Sequence, residues 1–464
     1  MTMRYVSTRG SAPELGFADA MLAGLATDGG LYVPDEWPAL PSSWVDAPTR
    51  GYVPTAVDVM WPFVDGVVER SEFESIVAES YAGFDDDAVA PLRDLGDGLW
   101  LLELFHGPTL AFKDVALQLL GRLMDHELAR RAQRVTVLGA TSGDTGSAAI
   151  EALRDRSAID VVILHPAGRV SDVQRRQMTT VDASNVHNVA IDGTFDDCQD
   201  LVKAAFGRAE LRARFDLAAV NSINWARVMA QVVYYVTAAA QLGGGGPVAF
   251  AVPTGNFGNV FAGYGALRMG LPIDQLVIGS NRNDILSRFF TTGSMEITEV
   301  HPTLSPSMDI QVSSNLERLL FELNGRDGAA LAELMLAFRA EGSVTVPADQ
   351  LQRVSEVFDA ARLDDEGTVA VIRELAETTG VTVDPHTAVG IAAARACRRD
   401  AMVPMVALAT AHPAKFPDAV ELATGERPGL PDRLADLFDR PEHLTSLPND
   451  LDLLVDFLGS ATGR

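Results

Sequence analysis

Five short runs of apolar, mostly β-branched residues, separated by stretches of helical periodicity, constrain the fold of this chain most strongly. The runs are VTVLGA from residue 135, VVILHP from 161, PVAFAVP from 247, LVIGS from 276 and PMVALA from 404. Continuous apolar strands that alternate with helices are typical of mainly parallel sheets covered by helices on both faces. The sequence therefore predicts an α/β fold with parallel sheets.

The chain divides into three regions by composition and pattern. Its 464 residues are enough for about three domain-sized units. Residues 1–95 are rich in Pro, Trp and loop signals and are predicted to form an N-terminal region. A shift of pattern near residues 215–221 predicts a crossover between a smaller α/β domain, 96–217, and a larger one, 218–464. The larger domain contains a mostly helical insertion and a C-terminal tail, in which Leu434 and Leu437 predict a surface helix or, alternatively, a partner-binding element.

Charge and cysteine content limit the possible partners and compartment. The formal charge of −26 argues against nucleic acid and anionic membranes as partners. An anionic small ligand must therefore be held by a local pocket. Two cysteines without CxxC-type spacing favour a reducing cytoplasm. The N-terminus shows no apolar signal core, and no apolar run has the length of a membrane span. We expect a soluble cytoplasmic protein, monomer or homodimer, without a metal-ligand cluster.

Lysine is rare in this chain, and one lysine lies in a distinctive run of residues. Only three of the 37 Lys and Arg residues are lysines, and Lys113 lies in FHGPTLAFKD, residues 105–114. A lysine kept against such a preference for arginine suggests a task that a guanidinium cannot perform. Forming an imine with an aldehyde is one such task, because it needs a primary amine. A GC-rich codon bias is the alternative explanation of the low lysine count.

Three loops that follow predicted strands carry further chemistry. GATSGDTGSAA, residues 139–149, opens a helix, so its N–H groups could converge on an anion together with Thr141, Ser142 and Thr145. A helix capped by Ser142 or Asp144 is the structural alternative. VPTGNFGN, residues 252–259, is predicted to form a phosphate-binding nest, although it lacks the lysine of a Walker loop and GxGxxG spacing. ATAHPAKF ends the last strand with three polar side chains, Thr410, His412 and Lys415.

These loops together suit one class of cofactor. Ligands of open α/β sheets bind beyond the carboxyl ends of strands, where all three loops lie. An amine, amide-lined anion sites and a hydroxyl suit an aldehyde that carries a phosphate, which is pyridoxal phosphate. We expect the imine on Lys113 and the ring nitrogen against Thr410. The phosphate is expected on the nest formed by Gly255, Asn256, Phe257, Gly258 and Asn259.

The same motifs resemble one enzyme family. HGPTLAFKD, GATSGDTGSAA, VPTGNFGN and ATAHPAKF, with VNSINWARVMAQ (220–231), LSPSMDIQVSSN (304–315), DPHTAVG (384–390) and the opening FADAMLAGLATDGGLYVP (17–34), are similar to threonine synthases of the longer class. The resemblance spans about residues 5–420 in order. Two departures, Thr254 for a common Ser and Asn259 for a frequent Asp, leave phosphate binding intact.

The resemblance implies a fold type II architecture and a specific reaction. Threonine synthases convert O-phospho-L-homoserine and water to L-threonine and phosphate, the last step of threonine biosynthesis. Lys113 would then carry the cofactor and move protons at Cα and Cβ of the substrate. The substrate carboxylate would meet Thr141, Ser142 and Thr145. Candidates for the substrate phosphate are Arg227 and Lys415, with Asn221, Asn224 and Arg169 as further possibilities.

Several alternatives remain open from the sequence alone. Arg227 could be a structural ion-pair residue, and His106 and His412 could only orient loops. Asp384 and Pro385 are interpreted as the start of a helix. The same site could release 2-oxobutyrate as a phospholyase, because only control of water addition separates the two outcomes. The chain could also be a non-catalytic binding protein, which would need no amine at position 113.

Overall fold

The computed structural model describes residues 3–464. Its strands are β1 Tyr5–Ser7, β2 Tyr32–Pro34, β3 Leu92–Asp94, β4 Leu99–Glu103, β5 Val135–Ala140, β6 Ile159–Pro166, β7 Val186–Asp192, β8 Leu217–Ala218, β9 Val248–Pro253, β10 Ile273–Ser280, β11 Ser294–Glu296, β12 Ser343–Thr345, β13 Phe358–Arg362, β14 Met405–Ala409 and β15 Thr445–Pro448. All five apolar runs of the sequence are strands, as predicted.

The α-helices are α1 Phe17–Ala23, α2 Ala47–Arg50, α3 Tyr52–Val64, α4 Arg70–Tyr81, α5 Lys113–Arg131, α6 Asp144–Leu153, α7 Asp172–Thr179, α8 Phe195–Gly207, α9 Ala209–Phe215, α10 Trp225–Gly243, α11 Gly258–Arg268, α12 Ile285–Thr292, α13 Leu316–Leu323, α14 Gly328–Glu341, α15 Ala348–Ser355, α16 Asp365–Thr379, α17 Pro385–Cys397, α18 Pro417–Thr424 and α19 Leu451–Thr462. Short 3₁₀ helices lie at Ser42–Asp46, Pro306–Met308, Pro413–Lys415 and Asp432–Leu434. No helix in residues 3–464 is long and apolar enough to cross a membrane.

The larger sheet has six strands in the order β13–β10–β9–β14–β4–β3. All neighbours are parallel except β3 and β4. Along β9, Phe250 and Val252 pack into a core shared with α10 and α11, whereas Ala249 and Ala251 face a second core shared with α16 and α17. Burial of both faces explains why these strands are continuous apolar runs rather than alternating ones.

The smaller sheet has five parallel strands in the order β15–β7–β6–β5–β8. All eight residues of β6 are buried. Side chains of α5 and α6 pack on one face of this sheet, and side chains of α8 and α19 pack on the other. The two covered parallel sheets confirm the predicted fold class.

The pairing of strands differs from the predicted division into 96–217 and 218–464 at two places. Strand β4 lies in the range assigned to the smaller domain, but it pairs with β14 of the larger sheet. Strand β15 lies in the range assigned to the larger domain, but it pairs with β7 of the smaller sheet. Parallel pairing joins strands that are distant in the chain, so an apolar run does not reveal which sheet it enters.

The N-terminal region packs on α13 of the larger half and also on α5. It consists of the antiparallel pair β1–β2 and helices α1 to α4. A buried ion pair joins Arg9 to Glu317 of α13 at 2.8 Å, and the Thr8 hydroxyl donates to the same carboxylate at 2.7 Å. Any other packing of this region would separate the two partners and leave each as an unpaired buried charge. The ion pair therefore favours the observed packing.

The helical insertion and the tail were predicted with different success. Residues 316–377 are mostly helical, as expected, but they also contain β13, which joins the larger sheet. The prediction of an α-helix at Leu434 and Leu437 was wrong, because a single 3₁₀ turn, Asp432–Leu434, forms there instead. Both leucines pack on Leu110 and Val173. A spacing of three residues suits one 3₁₀ turn as well as an α-helix.

Candidate active site

A cavity lies at the carboxyl ends of strands from both sheets. Eight of the residues singled out from the sequence line it: Lys113, Thr145, Arg227, Gly255, Asn256, Gly258, Asn259 and Thr410. Four further candidates do not line the cavity: Thr141, Ser142, Phe257 and Lys415. The first three lie in the same loops as lining residues, and Lys415 contacts the lining residue Asp144. The arrangement agrees with the rule that open α/β sheets bind ligands beyond strand ends.

Lys113 is the first residue of α5 and points into this cavity. The loop before it is fixed because both the N–H and the hydroxyl of Thr109 donate to the buried Asp114 carboxylate, at 2.8 and 2.7 Å. The Phe112 N–H donates to the Thr410 carbonyl at 2.9 Å. The Lys113 Nζ atom lies 3.2 Å from the Asp144 Oδ2 atom, and the lysine is 9% exposed. The cavity thus presents a nearly buried primary amine.

Asp144 is shared by two lysines. Lys415 is fully buried, and its Nζ atom lies 2.9 Å from the other Asp144 oxygen and 2.7 Å from the Thr109 carbonyl oxygen. The Gln174 amide also donates to Asp144 at 2.8 Å. Although burial opposes it, the two ammonium groups hold the pKa of Asp144 well below its usual range. Burial lowers the pKa of Lys113 from its ordinary value, and Asp144 partly offsets this effect.

The loop between β9 and α11 forms a concave row of backbone donors. Phe257 has a left-handed backbone, with φ of 62°, and its ring is stacked on Phe290 in the core. The Thr254 hydroxyl accepts from the Phe257 N–H and donates to the Asn259 side chain, which holds the loop shut. Four N–H groups of this loop donate to no group within residues 3–464: those of Gly255, Asn256, Gly258 and Asn259. Free N–H groups at a helix N-terminus suit a phosphate.

Thr410 forms another part of the cavity wall. Its N–H donates to the Thr387 hydroxyl at 3.2 Å, and an isolated bridge joins Ala111 to Ala411. The Thr410 hydroxyl has no hydrogen-bond partner in the described chain, and it lines the cavity. The loops that carry Lys113 and Thr410 are therefore bonded to each other and present an amine and a free hydroxyl together.

Arg227 is buried in the cavity wall without a carboxylate. Its Nη1 atom donates to the Val220 carbonyl at 3.0 Å, and its Nε atom is buried without a partner. No carboxylate of residues 3–464 lies within ion-pairing distance, and burial lowers the pKa of the guanidinium to about 10. The structural ion pair considered from the sequence is therefore absent from the described chain. A buried cation without a counterion is costly, so an anionic ligand is the expected partner.

The loop before α6 differs in detail from the helix cap considered from the sequence. Helix α6 starts at Asp144, and its N-cap is Gly143, with φ of 141° and no side-chain cap. The Thr141 hydroxyl instead accepts from the N–H groups of Gly143 and Gly146, at 2.9 and 2.8 Å. Thr141 is buried, Ser142 is exposed and Thr145 lines the cavity. The Thr141 hydrogen has no acceptor in the described chain and can be donated to an anion.

The remaining candidates lie away from the cavity. Asn224 caps α10 and donates to the Met21 carbonyl at 2.8 Å, and Asn221 and Arg169 are exposed. Lys203, the remaining lysine of the chain, pairs with Asp200 at the surface.

Neither of the histidines near the motifs lines the cavity. His106 pairs with Glu103, and His412 accepts from the Ala414 N–H at the start of a 3₁₀ helix.

Sequence reasoning missed one part of the wall. His386 lines the cavity, accepts from the Ser307 N–H at 3.2 Å and contacts Asp384 through its other ring nitrogen at 2.8 Å. Asp384 also caps α17, as interpreted from the sequence. The only sequence signal was a histidine two residues after a capping aspartate. The described residues contain no group of His, Cys, Asp and Glu suited to a metal ion.

The donor set fits the cofactor expected from the sequence. Pyridoxal phosphate needs a phosphate site, an amine for its aldehyde and a partner for its ring nitrogen. The free N–H groups of the β9–α11 loop, the amine of Lys113 and the unpartnered hydroxyl of Thr410 meet these three needs in one cavity.

Comparison with known proteins agrees with this geometry. Three family models match consecutive parts of the chain: threonine synthase N terminus at residues 4–81, pyridoxal-phosphate dependent enzyme at 88–333, and threonine synthase, C-terminal, at 387–458. The threonine synthase of Pseudomonas aeruginosa is 55% identical and is aligned over 100% of this chain and 99% of that protein.

Two solved structures are similar over the full chain. The threonine synthase of Brucella melitensis with bound pyridoxal phosphate superposes with a TM-score of 0.97 at 52% identity, covering 100% of both chains. The yeast threonine synthase superposes with a TM-score of 0.94 at 38% identity, covering 100% of this chain and 99% of that one. With such identity over the whole length of the chain and of its relatives, the chain belongs to the threonine synthase family of fold type II lyases that depend on pyridoxal phosphate.

Proposed function

We propose that the chain converts O-phospho-L-homoserine and water to L-threonine and phosphate. The observation that carries this proposal is the cavity in which a buried amine, a row of free N–H groups and an unpaired guanidinium lie together. The amine and the N–H groups suit the cofactor, and the guanidinium suits a second anion. A substrate that brings its own phosphate supplies such an anion.

The cofactor is held at three points. The free N–H groups of Gly255, Asn256, Gly258 and Asn259 would hold its phosphate, the Thr410 hydroxyl would face its ring nitrogen, and the Lys113 amine would carry its aldehyde carbon. Bound pyridoxal phosphate supplies an electron sink that stabilises negative charge developing on the substrate carbons. A hydroxyl at position 410, unlike a carboxylate, would leave the ring nitrogen largely unprotonated and would make this sink weaker.

Lys113 moves the protons of the reaction. When the substrate amine displaces Lys113, the Lys113 Nζ atom would be free to accept the proton of the substrate Cα and to exchange protons at Cβ. Burial lowers the pKa of Lys113 from its ordinary value, so a larger fraction of the amine is neutral near pH 7. A base with a pKa near the operating pH is the most effective one.

The substrate is oriented by its two anionic ends. Its carboxylate is bound by the Thr141–Thr145 loop, where the Thr141 hydrogen, Ser142 and Thr145 supply donors. Its phosphate is bound by Arg227, whose Nε–H has no other partner. This assignment offsets the cost of burying an unpaired guanidinium.

The two sheets form the two sides of the site. The smaller half presents the Thr141–Thr145 loop, and the larger half presents the N–H row and Thr410. We propose that the halves close on the substrate carboxylate and exclude bulk water until phosphate has left. The two free cysteines support a cytoplasmic location, and we propose that the enzyme is a monomer or homodimer.

Labelling of the cofactor-bearing lysine tests the proposal. Borohydride reduction of the full-length protein with pyridoxal phosphate, followed by peptide mapping, should place the label on Lys113. Lys113→Ala should lose the label and reduce turnover of O-phospho-L-homoserine by about 10²–10⁴-fold or more. It should still fold, because Asp144 keeps Lys415 and Gln174 as partners. Lys203→Ala is the matched surface control, and a label on Lys203 or Lys415 contradicts the proposal.

A further inference from the structure

Two of the three lysines of this chain meet at one buried carboxylate. The Nζ atoms of Lys113 and Lys415 lie 3.2 and 2.9 Å from the two oxygens of Asp144. Asp144 is 5% exposed and Lys415 is fully buried. Two ammonium groups on one carboxylate leave an excess of positive charge at this contact, which is costly in the interior. Loss of one proton from this cluster removes that cost.

The two lysines differ in what holds their protons. Lys415 donates to Asp144 and also to the Thr109 carbonyl at 2.7 Å. Lys113 has Asp144 as its one acceptor in the described chain, at a longer distance, and it lines the cavity. An ammonium group with more and shorter acceptor contacts keeps its proton more strongly. Lys113 is therefore the lysine that loses it.

The other charged groups near the cluster favour the same outcome. Arg227 of α10 adds a second positive charge near Lys113 without a carboxylate of its own. His386 of α17 is near Asp144 and is bound to Asp384. Asp114 of α5 faces Lys415, and burial raises the pKa of Asp114 to about 6. Among these groups Asp144 is the carboxylate that contacts Lys113 directly.

From this asymmetry we infer that Lys415 is a positioning residue: it holds Asp144 in an ion pair, so that Lys113 is the lysine that gives up its proton and offers a neutral amine to the cavity. The inference rests on the proposed function in one respect, the attachment of the cofactor to Lys113. Attachment joins Nζ to the aldehyde carbon and releases the aldehyde oxygen as water. Only the neutral amine has the lone pair for this step.

The rate of cofactor capture as a function of pH tests the inference. Full-length protein freed of cofactor is mixed with pyridoxal phosphate, and attachment is followed by absorbance. The rate rises with pH as Lys113 loses its proton. In Lys415→Met the charge of Asp144 acts on Lys113 alone, so the midpoint of this rise should move up by about 1–3 pH units. Asp144→Asn should move it down.

Matched variants separate this role from a structural one. The double variant Asp144→Asn/Lys415→Met removes both charges and should lie closer to the wild-type midpoint than either single variant. Lys415→Arg keeps the charge and should keep the midpoint, as should the surface variant Lys203→Met. Loss of packing alone would slow capture equally at every pH. If Lys415→Met does not fold, Lys415→Gln replaces it, and the double variant is measured in either case.

Two failures are distinguishable. If the midpoint of Lys415→Met stays at the wild-type value or falls while the borohydride label remains on Lys113, the inference about Lys415 is wrong and the proposed function stands. If the label maps to another lysine, the attachment to Lys113 is wrong instead.

Discussion

Single residues mark this site through polar groups that the protein itself does not satisfy. The Arg227 Nε atom is buried without a partner, and the Thr410 hydroxyl faces the cavity without one. An unsatisfied buried polar group costs about 1–3 kcal/mol. Both residues line the cavity, so both groups are expected to gain partners when the cofactor and substrate bind.

Substitutions at Thr410 test its contact with the ring nitrogen. Thr410→Val removes one polar partner and should cost about 1–3 kcal/mol in kcat/KM, much less than the loss of Lys113. Thr410→Asp should protonate the ring nitrogen, strengthen the electron sink and raise side reactions at the expense of threonine. Spectra and steady-state kinetics of both variants measure these effects. Wild-type rates and spectra in both would show that Thr410 is not the ring partner.

His412 should make the protein less stable in mild acid. Burial first, and the nearby His106 second, lower its pKa from 6.5 to about 4. Between these values the unfolded chain binds a proton that the folded chain does not, so the free energy of unfolding falls as pH decreases from about 6.5 towards 4. Between pH 7 and pH 5 this loss is at most about 2 kcal/mol.

Denaturant unfolding at pH 7 and pH 5 measures this loss. His412→Asn keeps an acceptor for the Ala414 N–H but does not titrate, so the difference between the two pH values should shrink. His126→Asn, at a partly exposed position, is the control. An unchanged difference in His412→Asn would contradict the assignment.

The sequence identifies residues whose chemical type suggests their function. It does not identify residues whose function depends on a contact with a distant part of the chain. Lys113 stands out because lysine is rare, and both it and Thr410 line the cavity. Lys415 was expected at the substrate phosphate, whereas its Nζ atom contacts Asp144 and Thr109. That contact joins residues far apart in the chain, and no local pattern encodes it.

Among the elements, the loop between β9 and α11 is closely packed against the backbone of its neighbours at Gly255. A Cβ atom at Gly255 would lie 3.1 Å from the Met308 Cα atom and 3.1 Å from the Ser307 carbonyl oxygen. Both are backbone atoms and cannot rotate away. A side chain at this position therefore requires the N–H row or the Ser307–Met308 backbone to shift by a few tenths of an ångström.

Gly255→Ala should weaken cofactor binding by about 1–3 kcal/mol, the usual cost of overpacking. Equilibrium dialysis of pyridoxal phosphate against the variant measures this loss. Gly83→Ala is the matched control, because a Cβ atom there meets nothing within 4 Å. Equal affinity in Gly255→Ala and wild type would contradict the role of this loop in holding the phosphate.

Element type follows from the sequence more directly than element boundaries do. The five apolar runs predict β5, β6, β9, β10 and β14, because burial on both faces leaves an uninterrupted apolar signal. The sequence offers Ser142 or Asp144 as the cap of α6, whereas the helix starts at Asp144 with Gly143 as its N-cap. There the positive φ of Gly143 and the Thr141 hydroxyl replace the usual capping side chain, and a capping rule does not anticipate this.

For the whole molecule, we predict that the substrate closes the cleft between the two sheets. A non-reactive phosphonate analogue should rotate the smaller sheet inward, so that Ser142 and Thr145 reach its carboxylate. Structures with and without the analogue measure the rotation. An unchanged angle between the sheets, or a carboxylate bound far from residues 141–145, would contradict the prediction.

The assembly of the two halves is the part that the sequence reveals least. Strand β4 precedes Lys113 but belongs to the larger sheet, so Lys113 lies between a loop bonded to Thr410 and a helix that packs on the smaller sheet. The C-terminal β15 returns to the smaller sheet. Both placements depend on long-range pairing, which composition and periodicity do not encode.

The products formed in water labelled with oxygen-18 test the central claim most directly. The full-length protein, pyridoxal phosphate and O-phospho-L-homoserine are incubated together, and the products are resolved by mass spectrometry. The account predicts L-threonine with the label in its hydroxyl, and an equal amount of unlabelled phosphate, because the carbon–oxygen bond breaks and water adds at Cβ. Mainly 2-oxobutyrate, or homoserine with labelled phosphate, would contradict it.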